Sequence, residues 1–435
     1  VPPVLPLAFT FQWVQVTAGI YYYIFTGRRL DAMDQSDYRP MVLVGLGCLL
    51  ALLLGLAVGM RLIRRSHPME EEASGYTFRW SILIALYVGS VVVTGAVQEL
   101  AWELPGLTQG LLALTYGRFA LLFLVFRKLS QPRVRAGLIG ILLAGEIVLG
   151  FTGYFAGFRE PLMIAAIALM GAFDRRKMKH WVTLTVLSII MVLSGTLWMG
   201  IRTQYRADFE SDIFAQSREE RLDRVAQLSS EVIQGDLGQM VSNIELFVDR
   251  LWAIYYPALA ISRVPSVLPY ENGAILWRAV RHVLTPRFLF PEKGEVESDS
   301  EMVREYSGEW VAGPEENTSI AFGYAAESYV DFGVPLMFLP ILIYGLLMGL
   351  AFQWWLWVIR IRELAVPLAV VMFWLSLYLF ERSWAKTLGG AGTLMIYLGG
   401  ATYLIDRLVL RLSSTRSGLR HATTLFRGNV GYRLR

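Results

Sequence analysis

Cysteine is almost absent from this chain of 435 residues; Cys48 is the only one. A single thiol excludes an internal disulfide framework and a thiolate metal site. Because it lies inside an apolar block, it gives no reading of the redox state of a compartment. Charge is scarce as well. Only 17% of the residues are Asp, Glu, Lys or Arg against 55% hydrophobic, and the mean hydropathy of +0.46 excludes an ordinary soluble domain. A polytopic membrane protein is left, with no nucleic-acid partner expected. The first residue is Val1, so a short natural start is expected to be missing. No cleavable signal is visible, and the first span is expected to serve as the insertion signal.

What the sequence has in quantity is long apolar runs. A helix crossing a bilayer needs about 20 apolar residues, and the blocks 5–25, 41–63, 80–97, 105–126, 136–154, 155–173, 181–201, 334–357, 365–380 and 390–408 are the expected spans. The fold class is therefore an all-α polytopic membrane protein of about ten transmembrane helices. Residues 1–201 carry spans one to seven, 202–332 a large, mostly helical periplasmic loop, 333–409 spans eight to ten, and 410–435 a basic cytoplasmic tail.

Charge sets the expected topology. The segment 202–332 holds 12 Lys plus Arg against 22 Asp plus Glu, while the rest of the chain holds 28 against 14. Basic short loops belong inside: Arg61, Arg64 and Arg65; Arg127 and Lys128; Arg175, Arg176, Lys177 and Lys179; Arg360 and Arg362. Both termini are then cytoplasmic and the acidic segment is exported. The loop with Arg28, Arg29 and Arg39 falls outside against this rule, balanced by Asp31, Asp34 and Asp37.

Charges within spans stand out against so apolar a background. The sixth span reaches full length only by including Arg159 and Glu160, which either face a cavity or form a lip between two hairpin helices. Arg118 and Glu146, in the fourth and fifth spans, are placed to pair across neighbouring helices.

The exported segment opens with Arg202 and Arg206. Apolar residues at helical spacing, Leu222 to Ile233 and Met240 to Leu251, give two amphipathic helices broken at Gly235 and Gly238; their apolar faces are expected on the mouth of the bundle or its lipid interface. Arg250, Arg263, Arg278, Arg281 and Arg287 then follow with only Glu271 among them. Arg binds phosphate through a planar donor fork at any working pH, so these residues suit a phosphate ligand, or alternatively a solvated face near anionic lipid. On a helix over 272–284, Arg278, Arg281 and His282 share one face, with Tyr255, Tyr256, Tyr270 and Trp277 interleaved as stacking surfaces. Residues 292–316 read as an acidic loop; Glu297, Asp299 and Glu301 alternate, but no metal is assigned. Near the eighth span, Glu327 and Asp331 lie four apart on a short helix, beside Tyr324 and Tyr329. A partly desolvated carboxylate there suits a general base for a sugar hydroxyl; the alternative is that it pairs with an Arg and shapes the pocket.

The run PRFLFPEK (286–293), the acidic loop after it, NTSIAFGYAAESYVDFG (317–333) and the span with Gly345 and Gly349 resemble the bacterial oligosaccharide repeat-unit polymerases of the Wzy type. The layout covers nearly the whole chain and the local motif about 250–349. The resemblance implies block transfer of a growing glycan from undecaprenyl pyrophosphate to another lipid-linked repeat unit at the periplasmic face of the bacterial inner membrane, with surface or exopolysaccharide as product. It implies Glu327 as the base, with His282 as substitute, and a pyrophosphate and glycan site among Arg159, Arg202, Arg206, Arg250, Arg278, Arg281, Arg287, Tyr329 and Asp331. No metal or other cofactor is expected, since arginines can stabilise the leaving group. A chain-length regulator and a flippase are the implied partners, besides the lipid-linked oligosaccharide and the bilayer. An Arg, ten residues, Gly pattern seen in some family members matches Arg224 to Gly235 and is given no role. Three other readings stand beside this one: an O-antigen ligase, a metal-using GT-C glycosyltransferase with Asp31, Asp34 and Asp37 in its first outer loop, and a lipid-linked oligosaccharide flippase. The last would show internal repeats and polar residues at mid-bilayer depth, and neither is found in the sequence.

Overall fold

In a bilayer the backbone has no water to bond, so an apolar run of spanning length closes its hydrogen bonds within a helix. The computed structural model describes residues 3–63, 78–104, 106–130, 136–151, 157–171, 173–174, 176–208, 218–287, 289–290, 292–294, 298–316 and 318–412, and among these it contains no strand. In chain order the helices are α1 (Val4–Thr26), α2 (Asp31–Gln35), α3 (Arg39–Leu62), α4 (Trp80–Glu103), α5 (Thr108–Thr115), α6 (Gly117–Leu129), α7 (Ala136–Phe151), α8 (Arg159–Met170) and α9 (Met178–Asp208). Then come α10 (Arg218–Gln234), α11 (Leu237–Leu251), α12 (Tyr255–Arg263), α13 (Ala274–Leu284), α14 (Asp299–Ser307), α15 (Gly323–Phe332), α16 (Phe338–Val358), α17 (Arg362–Leu377) and α18 (Trp384–Thr393). A π-helical stretch, Leu394–Gly399, carries α18 onward, so that one helix runs from Trp384 to Leu412.

Six helices are long and apolar enough to cross a membrane: α3, α4, α5 continued by α6, α9, α16 and the extended α18. The chain is an all-α, multi-pass membrane protein. The other four expected spans are helical but differ. α8 has 12 residues and α7 and α17 have 16 each, short of the spanning length. α1 has 23 residues but buries Gln12 and Gln15, polar groups inside the bundle that the sequence reading passed over. The junction of the fifth and sixth expected spans at 152–156, the tail beyond 412, and Arg64, Arg65, Arg175 and Glu297 lie outside the described residues.

The closest helix pair is α3 with α16. A Cβ on Gly55 or Gly59 would stand 2.2 Å from the carbonyl of Leu342 or Leu346, and one on Gly345 or Gly349 would stand 2.4 Å from that of Leu52 or Leu56. Two Gly-x-x-x-Gly ridges thus interlock main chain to main chain, the packing on which membrane helices rely when apolar lipid removes any hydrophobic drive between them. Arg118 and Glu146 do form an ion pair, and the Tyr87 hydroxyl donates to the same carboxylate.

The amphipathic pair appears as α10 and α11, with Gly235 between them and Asp236 capping α11 by accepting from the Gln239 N–H at 2.7 Å. They fold back along α9: a Cβ on Gly195 would strike the Phe247 ring, and one on Gly200 the side chains of Asn243 and Val232. Below that contact α9 exposes Val182, Val186, Ile189, Val192 and Leu193, a stripe suited to lipid. The expected acidic loop over 292–316 is corrected in part. Residues 299–307 form α14, started by a capping box between Ser298 and Glu301, so Glu301 serves the backbone.

α15 is the element of the segment 202–332 that enters the core. It starts at Gly323, whose φ of +92° and 2.6 Å approach to the Phe380 carbonyl admit no side chain, and the Tyr324 N–H donates to the Arg382 carbonyl at 2.8 Å. Buried amides fix the same region to α1. The Tyr324 hydroxyl donates to Gln12 Oε1 at 2.7 Å, the Gln12 amide donates to the Leu377 carbonyl, and the Phe380 N–H donates to Gln15 Oε1 at 2.7 Å.

Gly345→Val is expected to force α3 and α16 apart and to lower stability by about 1–3 kcal/mol, the usual cost of overpacking. Gly89→Ala, on α4 where an added Cβ meets nothing within 4 Å, is expected to be neutral or slightly stabilising. Thermal melts in detergent compare the two.

Candidate functional site

The Asn272–Gly273 pair, both with positive φ, turns the chain into α13, and Asp331 of α15 caps it. The two carboxylate oxygens of Asp331 accept from the Ile275 and Leu276 N–H groups at 3.0 and 2.8 Å. With its face so fixed, α13 sends Arg278, Arg281 and His282 into one cavity of about 830 Å³, within the size range of ligand sites. Lys293 joins them, its Nζ donating to the His282 carbonyl at 2.5 Å. Leu289, Phe290 and Met302 supply apolar wall, and Asp299, Glu327 and Ser383 supply oxygens.

Glu327 is 1% exposed. Its Oε2 accepts from the Trp384 N–H at 2.7 Å, at the start of α18, whereas its Oε1 is buried without a partner. Burial pushes its carboxyl up to about 8, against the pull of the Trp384 N–H and with a smaller push from Asp299 and Asp331. With Oε2 engaged by main chain, Oε1 is the oxygen left for another group. Ser383 Oγ is also buried and unpartnered. Asp299 pairs with Lys386, which in turn donates to Ser319 Oγ at 2.9 Å. His282 is pushed below its usual range by burial, helped by Lys293 and Arg287, and is neutral at pH 7.

A family model described as a domain of unknown function, DUF8712, matches residues 47–353, which is most of the chain. The chain belongs to the DUF8712 family. The DUF8712 match takes in α13 and α15, and so Arg278, Arg281, His282 and Glu327, and stops short of Ser383, Trp384 and Lys386. No curated protein and no solved structure matches the chain.

Of the residues expected at one site, the structure gathers Arg278, Arg281, His282 and Glu327 and places the others elsewhere. Asp331 caps α13, so both of its oxygens are engaged by main chain. The Tyr329 hydroxyl donates to the Val264 carbonyl at 3.0 Å and is outside the cavity lining. Arg287 stands near His282 and Lys293 without lining the cavity. Arg159, Arg202, Arg206 and Arg250 are outside the cavity lining: Arg250 donates twice to Glu381, at 2.5 and 3.2 Å, Arg159 lies in the field of the same carboxylate, and Arg202 in that of Arg206 and Arg250. Between α1 and α3, Asp34 pairs with Arg29 at 3.2 Å, and among the described residues no three His, Cys, Asp or Glu side chains are grouped to hold a metal ion.

The sequence reading missed Ser383, Trp384, Lys386 and Lys293. A signal existed for three of them: the run Glu381-Arg382-Ser383-Trp384-Ala385-Lys386 is a charged break between two apolar blocks on the face expected for the exported segment. Lys293 stood in the quoted motif without a role.

Because the Glu327 carboxyl is held above its unfolded range, the folded protein keeps a proton that the unfolded chain loses. That contribution is complete below about pH 4.5 and is lost as pH rises through about 8, at up to about 1.4 kcal/mol per pH unit. Melting midpoints between pH 5 and 9 are expected to fall more steeply for wild type than for Glu327→Gln; parallel curves would remove Glu327 as the cause.

Proposed function

We propose that the protein is a membrane glycosyltransferase that polymerises undecaprenyl-pyrophosphate-linked oligosaccharide by block transfer. The observation that carries this reading is the meeting of Arg278, Arg281 and Lys293 with the unpartnered oxygens of Glu327 and Ser383 in one partly apolar cavity. Cationic side chains suit a diphosphate whose negative charge grows as it leaves, and strengthen their hold as the bond breaks. Leu289 and Phe290, both largely exposed at the cavity lining, suit the first isoprene units of its lipid.

In this reading Glu327 Oε1 takes the proton from the acceptor sugar hydroxyl. The freed oxygen forms a bond to the donor's anomeric carbon as that carbon's bond to the diphosphate breaks, and the diphosphate departs on its lipid among the arginines. Neutral His282 is the substitute acceptor of the proton. The finer topology belongs to the same proposal: ten spans, the segment 202–332 at the periplasmic face of the inner membrane between spans seven and eight, both termini cytoplasmic, and a flippase and a chain-length regulator as partners.

Incubation of purified protein with a lipid-linked repeat unit is expected to give a ladder of products. Arg281→Ala and Glu327→Gln should each abolish the ladder while the protein still inserts and folds. With Glu327 as base, the rate should climb about tenfold per pH unit below pH 8 and level off above it. A single product size from wild type would remove polymerisation, and a ladder undiminished in Glu327→Gln would remove that residue from the chemistry.

A further inference from the structure

The apolar side of α13 is only partly covered by protein. At about 100° per residue, Leu276, Trp277, Val280, Val283 and Leu284 fall on one side of the helix, and Arg278, Arg281 and His282 on the other. The cavity takes the charged side, and none of the five apolar residues lines it. Protein meets the apolar side at one edge, where Val283 Cγ2 stands 3.5 Å from the place of a Cβ on Gly389 of α18. Trp277 and Leu284, about 10 Å apart along the axis, are left 64% and 72% exposed. Trp277, expected as a stacking surface, is thus turned away from the ligand cavity.

We infer that this bare face of α13 lies in the lipid interface of the bilayer, with Trp277 and Leu284 set among the headgroups and upper acyl chains. The occupant follows from what α13 rests on. It packs beside the opening turns of α18, a helix long and apolar enough to cross the membrane. The α18 face that meets Val283 at Gly389 is bare one turn on, since an added Cβ at Gly392 meets nothing within 4 Å, and Ile396 beyond it is exposed. The other end of α13 stands beside the approach to α16: a Cβ on Gly273 would lie 3.1 Å from the Phe332 ring, and Val334, Leu336 and Leu339, which follow Phe332 into α16, are exposed. α15, which leads into α16, bonds the first residue of α18, so both spanning helices begin on the same face of the bundle. α13 therefore reaches from the start of one to the start of the other. A helix with one apolar and one charged side settles there in the interface plane, and Trp suits that depth, with an apolar ring and a polar N–H. The charged side, and the cavity with it, is then held at the membrane surface. This inference does not rest on the glycosyltransferase reading.

The full chain is placed in phosphatidylcholine vesicles with a fluorophore on one introduced cysteine, Trp277→Cys, Leu284→Cys or Glu309→Cys. Cys48 is buried, and wild type taken through the same labelling gives its background. Glu309 is exposed in a charged stretch outside α13 and serves as the control in water. Labels at 277 and 284 are expected to be quenched by lipid brominated on the upper acyl chain, at least about threefold more than the label at 309, and to be shielded from iodide. The label at 309 should show the reverse. Iodide quenching at 277 and 284 equal to that at 309 would put the face in water, free for a sugar, and overturn the inference. Protection from both quenchers would put a protein surface or a second copy of the chain over it, and overturn it equally. A second reading needs no label: Trp277→Phe keeps a ring and removes one indole, so its intrinsic emission should lose a component that brominated lipid quenches in wild type. No such loss would overturn the placement of Trp277 even if the cysteine variants fail to fold.

Discussion

The main-chain contact between α3 and α16 is the constraint on which the remaining geometry depends. Nothing in a bilayer pushes two apolar helices together, so their association rests on how closely the backbones can approach. Four glycines from two distant parts of the sequence permit that approach. α16 is the direct continuation of α15, and fixing α16 against α3 therefore fixes where the short helix with Glu327 enters the core. The amides of Gln12 and Gln15 then tie α1 to Tyr324 and to the main chain at Leu377 and Phe380. Each bond holds a segment that would otherwise leave a polar group unsatisfied in an apolar interior.

Residues 380–386 divide two cationic regions. Glu381 pairs with Arg250 of α11 and lies in the field of Arg159 of α8, whereas the Trp384 N–H and Lys386 serve the cavity carboxyls of Glu327 and Asp299. Consecutive residues of one short connection diverge to different duties where Ser383, in extended conformation, leads into α18. One short connection thus serves both the buried Glu327 carboxyl and the exposed Arg250 guanidinium.

Periodicity and charge made much of this legible. The amphipathic α10 and α11, the shared face of Arg278, Arg281 and His282, the Arg118–Glu146 pair and the candidate Glu327 all follow from spacing along one helix or from charge in an apolar block. What spacing cannot supply is the partner across the fold. Asp331 sits at the same helical register as Glu327, and only the arrival of the α13 N-terminus at its oxygens makes it a cap. Arg250 and Arg281 look alike in sequence, and the packing of α11 and α13 on different helices is what separates them. Short helices such as α8 and α17 differ from the expected lengths for a related reason: hydropathy counts residues, while the point at which a helix stops is set by the groups that meet its ends.

The π-helical stretch in α18 links the site to the far end of the bundle. An α-helix turns about 100° per residue, and a π turn accommodates one residue more than the α ladder has room for. Ahead of it, Trp384 keeps its N–H on the carboxyl of α15; within it, Tyr397 lies against Gly110 and Gly399 against Trp355. The start of the helix and the π turn therefore each hold their own angular phase. Chain length at 394–399 is consequently not free to drift: a residue gained or lost there would spin the two parts against each other, and a small insertion or deletion would be read out as a misaimed Trp384 N–H at the start of the helix.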